Sequence, residues 1–152
     1  MKPAVMALCF IGTCLVFCGS SFGAPTSEDI KTILDHLKLE SKELYEDYSK
    51  KAPGILANES LQLPCFTLGR EASANISVIR AHLEKVKVLT ENRIDTTTVI
   101  KRLDDINCFI PLKLNISGPK DTKFFEYKTF SLTVLKRFSD CMAKLEAKNS
   151  VC

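Results

Sequence analysis

The sequence predicts an all-α protein, an up-up-down-down four-helix bundle with two long crossover loops. Four stretches have apolar residues spaced three and four positions apart, as on one face of a helix. About five residues join the second stretch to the third, which allows only antiparallel neighbours, whereas about 22 and about 12 residues join the other pairs and suffice to run back along a bundle. An up-down-up-down bundle needs neither long loop, but loop length alone leaves it open.

Residues 1–23 have the layout of a secretory signal peptide. Lys2 is their only charge, residues 4–18 are apolar, and small residues follow. Cleavage after Gly23 is expected and leaves residues 24–152 as one four-helix bundle domain that is secreted to the extracellular space. A membrane anchor is the alternative, but this apolar run is shorter than the roughly 20 residues that span a bilayer.

The first helix is expected over about 27–50, before Pro53 and Gly54. Thr26 and Asp29 have the spacing of a capping box. The apolar stripe of this helix consists of Ile30, Ile33, Leu34, Leu37, Leu44, Tyr45 and Tyr48.

Three further helices are expected over residues 73–89, 96–108 and 124–147. The second has its stripe at Ile76, Ile79, Leu83, Val86 and either Val88 or Leu89. The third is predicted to begin after an Asp95 N-cap, with Val99, Ile100, Leu103 and Ile106 inward. The last has neither Gly nor Pro and carries Cys141 on its apolar face.

The charges exclude the partners that a basic stripe would attract. Lys and Arg total 21 and Asp and Glu total 18, a net charge of +3, and both signs are interspersed along the chain. Nucleic acid or an anionic membrane would call for a one-sided basic surface. We therefore expect neither as a partner.

Cysteine usage indicates two disulfides. Of seven cysteines, Cys65, Cys108, Cys141 and Cys152 follow the signal segment, and an even count in an exported protein favours disulfide pairing. Three pairings are possible, and the residues alone do not choose among them. Zinc binding is disfavoured because the chain has no C-x-x-C or H-x-x-x-H spacing.

Three sequons are candidate N-glycosylation sites, at Asn58, Asn75 and Asn115. Asn58 and Asn115 fall in expected loops and fit a glycan better than Asn75, which begins a helix.

The sequence offers few candidate catalytic residues. The two histidines, His36 and His82, belong to different helices, and no hydrolase or metalloprotease motif is present. We expect no enzyme, no metal and no cofactor, and a monomer that acts through exposed helix faces. The charged residues on those faces are Asp35, His36, Lys38, Glu43, Lys101, Arg102, Asp104, Asp105, Lys128 and Arg137.

Several stretches, in order, resemble the interleukin-31 family of interleukin-6-type cytokines, most strongly its rodent members. They are SFGAP at 21–25, LPCF at 63–66, ISVIRAHLEKVKVL at 76–89, LNIS at 114–117 and LTVLKRFSDCMAKL at 132–145. The resemblance covers nearly all of the chain after the signal segment.

The resemblance implies a cytokine that binds interleukin-31 receptor alpha and oncostatin M receptor beta and activates JAK–STAT signalling in itch, skin and type 2 inflammation. Carried over by position, Lys128 matches a basic residue expected to meet the second receptor. Arg102 and His36 fall where the alpha receptor is expected, although they differ in type from the family's residues there. The resemblance also favours the disulfide Cys65–Cys141, leaving Cys108–Cys152.

The alternative is a different short helical cytokine that uses another receptor pair. A secreted enzyme using His36 or His82 and a lipid-carrying bundle are further alternatives.

Overall fold

The computed structural model describes residues 26–69, 72–106, 113–119 and 124–146. Within these ranges the protein is all-helical, with four helices and no strand, as the sequence predicts. The helices are α1 (Ser27–Lys51), α2 (Ala72–Leu89), α3 (Thr97–Asp105) and α4 (Phe124–Lys144).

The first helix begins at the capping box that its sequence predicts. The Asp29 amide donates to Thr26 Oγ1 at 3.2 Å, and the Thr26 amide donates to Asp29 Oδ2 at 2.9 Å. Both bonds satisfy N–H groups that lie near a helix start and lack partners inside the helix. They also lower the pKa of Asp29 below its ordinary value of 3.8, the Thr26 backbone bond contributing most. The ionised carboxylate therefore stabilises the folded state.

This linkage predicts an acid-sensitive contribution to stability. A carboxyl whose pKa is depressed by folding stabilises the protein fully above its unfolded pKa, and this contribution is lost as the pH falls through the folded value. We expect Asp29→Asn to lower the melting temperature at pH 6 and to have a smaller effect at pH 3, below the ordinary carboxyl pKa of 3.8. Asp35→Asn, at an exposed position of α1, is the control. An Asp29 effect that is equal at both pH values would contradict this account.

Backbone hydrogen bonds of a Schellman type end α2. The Asn92 amide donates to the Lys87 carbonyl at 2.9 Å and the Glu91 amide to the Val88 carbonyl at 3.1 Å. Glu91 and Asn92 have φ angles of 53° and 62°, the left-handed region where glycine is usual. No glycine marks this turn in the sequence, yet it reverses the chain within residues 90–96.

The third helix is shorter than expected, and its N-cap prediction is wrong by one residue. The N-cap is Thr96, whose hydroxyl does not cap the helix but donates to the buried Leu83 carbonyl at 2.9 Å. Asp95 nevertheless satisfies a terminal donor, since its Oδ1 accepts from the Thr97 amide at 3.0 Å. The Thr97 hydroxyl first, and then this amide, lower the pKa of Asp95. The expected last turn, 107–108, lies outside the described residues.

The helix contacts give the order of the bundle. Contacts join α1 with α3 and α4, and α2 with α3 and α4; within the described ranges α1 and α2 do not meet, nor do α3 and α4. The order around the bundle is therefore α1, α3, α2, α4, with the two diagonal pairs separated by the core.

The helix directions follow from which residues share an end of the bundle. One cleft is lined by Tyr48 and Lys51 near the end of α1, Val88 near the end of α2, and Tyr127 in the first turns of α4. Ile94, just before α3, lines it as well. Two helices end there and two begin there, which is the up-up-down-down arrangement that the loop lengths predict.

The core lies between the four helices and contains the expected stripes. The largest fully buried side chains are Phe138, Ile30, Leu34, Leu37, Ile76, Ile79, Leu83, Leu103, Leu135, Met142, Val86 and Val99. On α2 the structure decides between two candidates: Leu89 packs against the core, whereas Val88 is 70% exposed.

Part of the first crossover, residues 58–65, is attached along α4 and is called the strap below. The Asn58 amide donates to Thr133 Oγ1 at 2.7 Å, Arg137 Nη2 donates to the Glu59 carbonyl at 3.4 Å, and Cys65 forms a disulfide with Cys141. The three attachment points on α4 are four residues apart, one helical turn each. Together α1, α2 and the strap bury α4 at every position from 130 to 135, a wider face than one apolar stripe.

Candidate functional site

The end of the bundle where α1 and α2 stop carries a cleft of about 510 Å³. It is built from the ends of two helices, the turn between α2 and α3, and the first turns of α4. Its lining residues are Tyr48, Lys51, Ala52, Val88, Leu89, Thr90, Glu91, Arg93, Ile94, Tyr127 and Lys128. We call it the basic cleft, because three of these residues are cationic and one is anionic.

The inner wall of the basic cleft is apolar and aromatic. Tyr48 and Ile94 are 8% and 3% exposed. Burial raises the pKa of Tyr48. The phenol therefore stays neutral and presents a ring and a hydroxyl rather than a charge.

The charged groups stand around this wall on different elements. Lys51 and Arg93 are exposed and Lys128 is half-buried, on α1, the α2–α3 turn and α4 respectively. The acidic member, Glu91, lies 3.6 Å from Arg93 and offsets part of its charge. The cleft can thus accept an anionic group together with apolar surface.

Two residues at this end carry signals that sequence reasoning missed. Phe125 is 62% exposed and lies one turn before Lys128 on α4, so the two side chains share a face. The sequence feature that could have identified Phe125 is its position, since it is an aromatic residue outside the apolar stripe of an otherwise regular helix. Val88 is the second, because the stripe alone did not decide whether it or Leu89 faces inward.

Arg102 has a partner inside the bundle. Its Nε donates to Glu40 Oε2 at 2.8 Å and its Nη2 to Glu40 Oε1 at 3.0 Å, a two-point ion pair between α3 and α1. Both side chains are about a quarter exposed, and the bond to Glu40 raises the pKa of Arg102. His36 is exposed one turn before Glu40. Arg102 and His36 therefore lie on the α1/α3 side, away from Lys128.

Beside this ion pair lies a groove of about 210 Å³ with four carboxylates. Glu40, Glu43 and Asp47 come from α1 and Asp95 from the start of α3. We call it the acidic groove. Sequence reasoning named Glu43 as an exposed charge, but it did not bring these four residues together.

The structure pairs Cys65 with Cys141, 76 positions apart, which is the pairing that the family resemblance implied. Cys108 and Cys152 lie outside the described residues. Asn75 Nδ2 donates to the Cys65 carbonyl at 3.0 Å, so this sequon residue holds the strap beside its disulfide.

The other two sequon asparagines, Asn58 and Asn115, are exposed. Asn58 Oδ1 accepts from both the amide and the hydroxyl of Ser60, at 3.0 and 2.6 Å.

The histidines are held apart in the structure. His82 is buried, with Nδ1 2.8 Å from the Val78 carbonyl and its ring stacked on Phe130, whereas His36 is exposed on α1. Among the described residues no group of three or more His, Cys, Asp or Glu is arranged to hold a metal ion. Over the same ranges, no helix combines the length and apolar character needed to cross a bilayer.

Comparison with known proteins decides the family. The family model described as "Interleukin 31" matches residues 21–148. The chain belongs to the interleukin-31 family. Mouse Interleukin-31 is 59% identical over 155 aligned residues, covering 99% of this chain and 95% of the mouse protein. Human Interleukin-31 is 33% identical over 118 residues, covering 76% of this chain and 70% of the human protein.

No solved structure matches the chain significantly. The family resemblance and the four-helix fold predicted from the sequence are thus confirmed, and the chain is a member of a cytokine family. The basic cleft and the acidic groove are two surface features of opposite charge on this member of the interleukin-31 family.

Proposed function

We propose that the protein is a secreted cytokine that brings together interleukin-31 receptor alpha and oncostatin M receptor beta and so activates JAK–STAT signalling in itch, skin and type 2 inflammation. Membership of the interleukin-31 family supports the receptor pair. The observation that carries the mechanism is the presence of two separate surfaces of opposite charge on one rigid bundle.

Each surface is proposed for one receptor. The basic cleft, with Lys128 and Phe125, is the surface for oncostatin M receptor beta. The α1/α3 side, with His36 and the acidic groove, is the surface for interleukin-31 receptor alpha. Within it Arg102 acts through Glu40: it fixes α1 against α3 and so positions the neighbouring carboxylates. Charges of opposite sign on the two surfaces favour a different partner for each.

The proposed maturation fits an extracellular protein. Residues 1–23 are removed as a signal peptide, and Cys108 pairs with Cys152. Glycans are proposed at Asn58 and Asn115, both on exposed surface outside the basic cleft and the acidic groove. Asn75 is the least suited of the three sequons, because its amide nitrogen is engaged with the strap. The product acts as a monomer with no cofactor and no enzymatic activity.

Charge reversal at Lys128 tests the proposal. We expect Lys128→Asp to weaken binding to the oncostatin M receptor beta ectodomain about tenfold or more, because it replaces a half-buried cation of the cleft by an anion. Binding to interleukin-31 receptor alpha should not change. Surface plasmon resonance with each ectodomain measures both, with circular dichroism as the fold control.

Lys136→Asp is the matched control, since Lys136 is an exposed lysine further along the same helix and does not line the cleft. Unchanged signalling by Lys128→Asp would contradict the assignment of this surface. Binding of the wild-type chain to other receptor ectodomains in a panel, but not to this pair, would favour a different short helical cytokine.

A further inference from the structure

We propose that the basic cleft receives a protruding receptor segment in which a carboxylate lies next to an apolar side chain. Lys51 and Arg93 share the carboxylate with Lys128, and Val88 forms the outer apolar wall. This inference rests on the proposed function, in which the cleft faces the second receptor, and it adds the chemistry of the occupant and three residues from outside α4.

The apolar requirement comes from Val88 and the wall behind it. Val88 is 70% exposed although it lies in the last turn of a well-packed helix. Tyr48 and Ile94, which are almost fully buried, close the inner side of the same cleft. An apolar side chain that packs on Val88 against this closed wall removes the exposed surface of Val88 from water, and apolar burial is favourable in proportion to the area removed.

The requirement for a carboxylate on the occupant comes from the cationic side chains that meet at the cleft. Lys51, Arg93 and Lys128 come from three different elements and meet at one cleft, whereas elsewhere on the chain the charges of both signs are interspersed. Among the described lining residues the one acidic member, Glu91, lies 3.6 Å from Arg93 and offsets part of that charge. An occupant that carries a carboxylate is therefore complementary to the excess of cationic side chains at the cleft, whereas a purely apolar occupant is not.

The size and shape select a protein segment. About 510 Å³ lies within the range of sites that take a small ligand or a few side chains. It is too small for a helix or for an extended membrane contact, and within the described ranges the basic charge does not continue as a stripe that nucleic acid would need. A short protruding loop meets both the volume and the mixed chemistry.

Binding kinetics separate the two parts of the proposal. At low salt, Lys51→Glu should slow association with the second receptor's ectodomain about tenfold and weaken its salt dependence, because an exposed rim charge acts through steering. Val88→Ser should raise the dissociation rate about fivefold with little change in association, because it removes apolar contact made only in the complex.

The chain offers a matched control for each variant. Lys50→Glu reverses the neighbouring exposed lysine of α1, and Leu56→Ser alters an aliphatic residue that is 80% exposed; neither residue lines the cleft. Because all four side chains are exposed, the melting temperatures should match that of the wild type, and both controls should bind normally.

Three results would overturn the inference. The first is wild-type kinetics for both Lys51→Glu and Val88→Ser while Lys128→Asp still loses binding; the proposed function would then stand. The second is an equal loss in the controls. The third is a concentration-dependent dimer in light scattering that Lys51→Glu abolishes, which would make a second copy the occupant. Wild-type binding by all variants, Lys128→Asp included, would instead refute the proposed function itself.

Discussion

Cys65→Ser is expected to lower the free energy of unfolding by roughly 4 kcal/mol, the upper value that the chain-entropy model gives for a closed loop of this size. The disulfide joins positions 76 apart and therefore restricts most of the unfolded chain. Its loss also leaves Cys141, only 4% exposed, as an unpaired thiol. Urea unfolding measures the change, and secretion from transfected cells should fall in parallel.

A second attachment of the strap provides the comparison. Thr133→Val removes the acceptor of the Asn58 amide but leaves the disulfide, and the expected cost is about 1–2 kcal/mol. If Thr133→Val destabilised the protein more than Cys65→Ser, local hydrogen bonding rather than the covalent constraint would be the main effect of the strap.

Phe138→Ala is expected to destabilise the protein by about 3–5 kcal/mol, because a fully buried aromatic ring leaves both lost burial and a cavity. Phe125→Ala makes the same chemical change on the same helix at a position that is 62% exposed. It should alter stability by less than about 0.5 kcal/mol while weakening binding to the second receptor.

This pair separates folding from recognition on one helix. Thermal and urea unfolding report the first property, and surface plasmon resonance with the receptor ectodomain reports the second. A large loss of stability for Phe125→Ala would show that its ring supports the fold, and the proposed site would lose a member.

The helices were predictable because apolar residues recur in each of them at the three-and-four spacing of a helix. That spacing also shows which face of the helix points inward. The spacing of apolar residues alone therefore places Leu103 and Phe138 in the core, where both are fully buried. The spacing of apolar residues predicted the ends of the helices less well. There Thr96 uses its hydroxyl on α2 rather than on its own helix, a tertiary bond that no local pattern contains.

The surfaces were less predictable, because they depend on residues distant in the chain. The ion pair of Glu40 with Arg102 spans 62 positions, and each residue alone resembles an ordinary solvated charge. The basic cleft likewise needs three helix ends to meet. Lys128 was one of several exposed charges named from the helix faces, and only the family resemblance singled it out, whereas Val88 required knowing on which side of α2 the core lies.

The strap has a consequence for the rotational phase of α4. Its three anchor points, Thr133, Arg137 and Cys141, lie on one side of the helix, because each step of four residues turns only about 40° beyond a full turn. A single residue inserted between them would turn Cys141 by about 100° away from Thr133, so that the disulfide and the hydrogen bond would demand different rotations of the same helix. The covalent link at one end of the bundle therefore fixes the direction in which Phe125 and Lys128 point at the other.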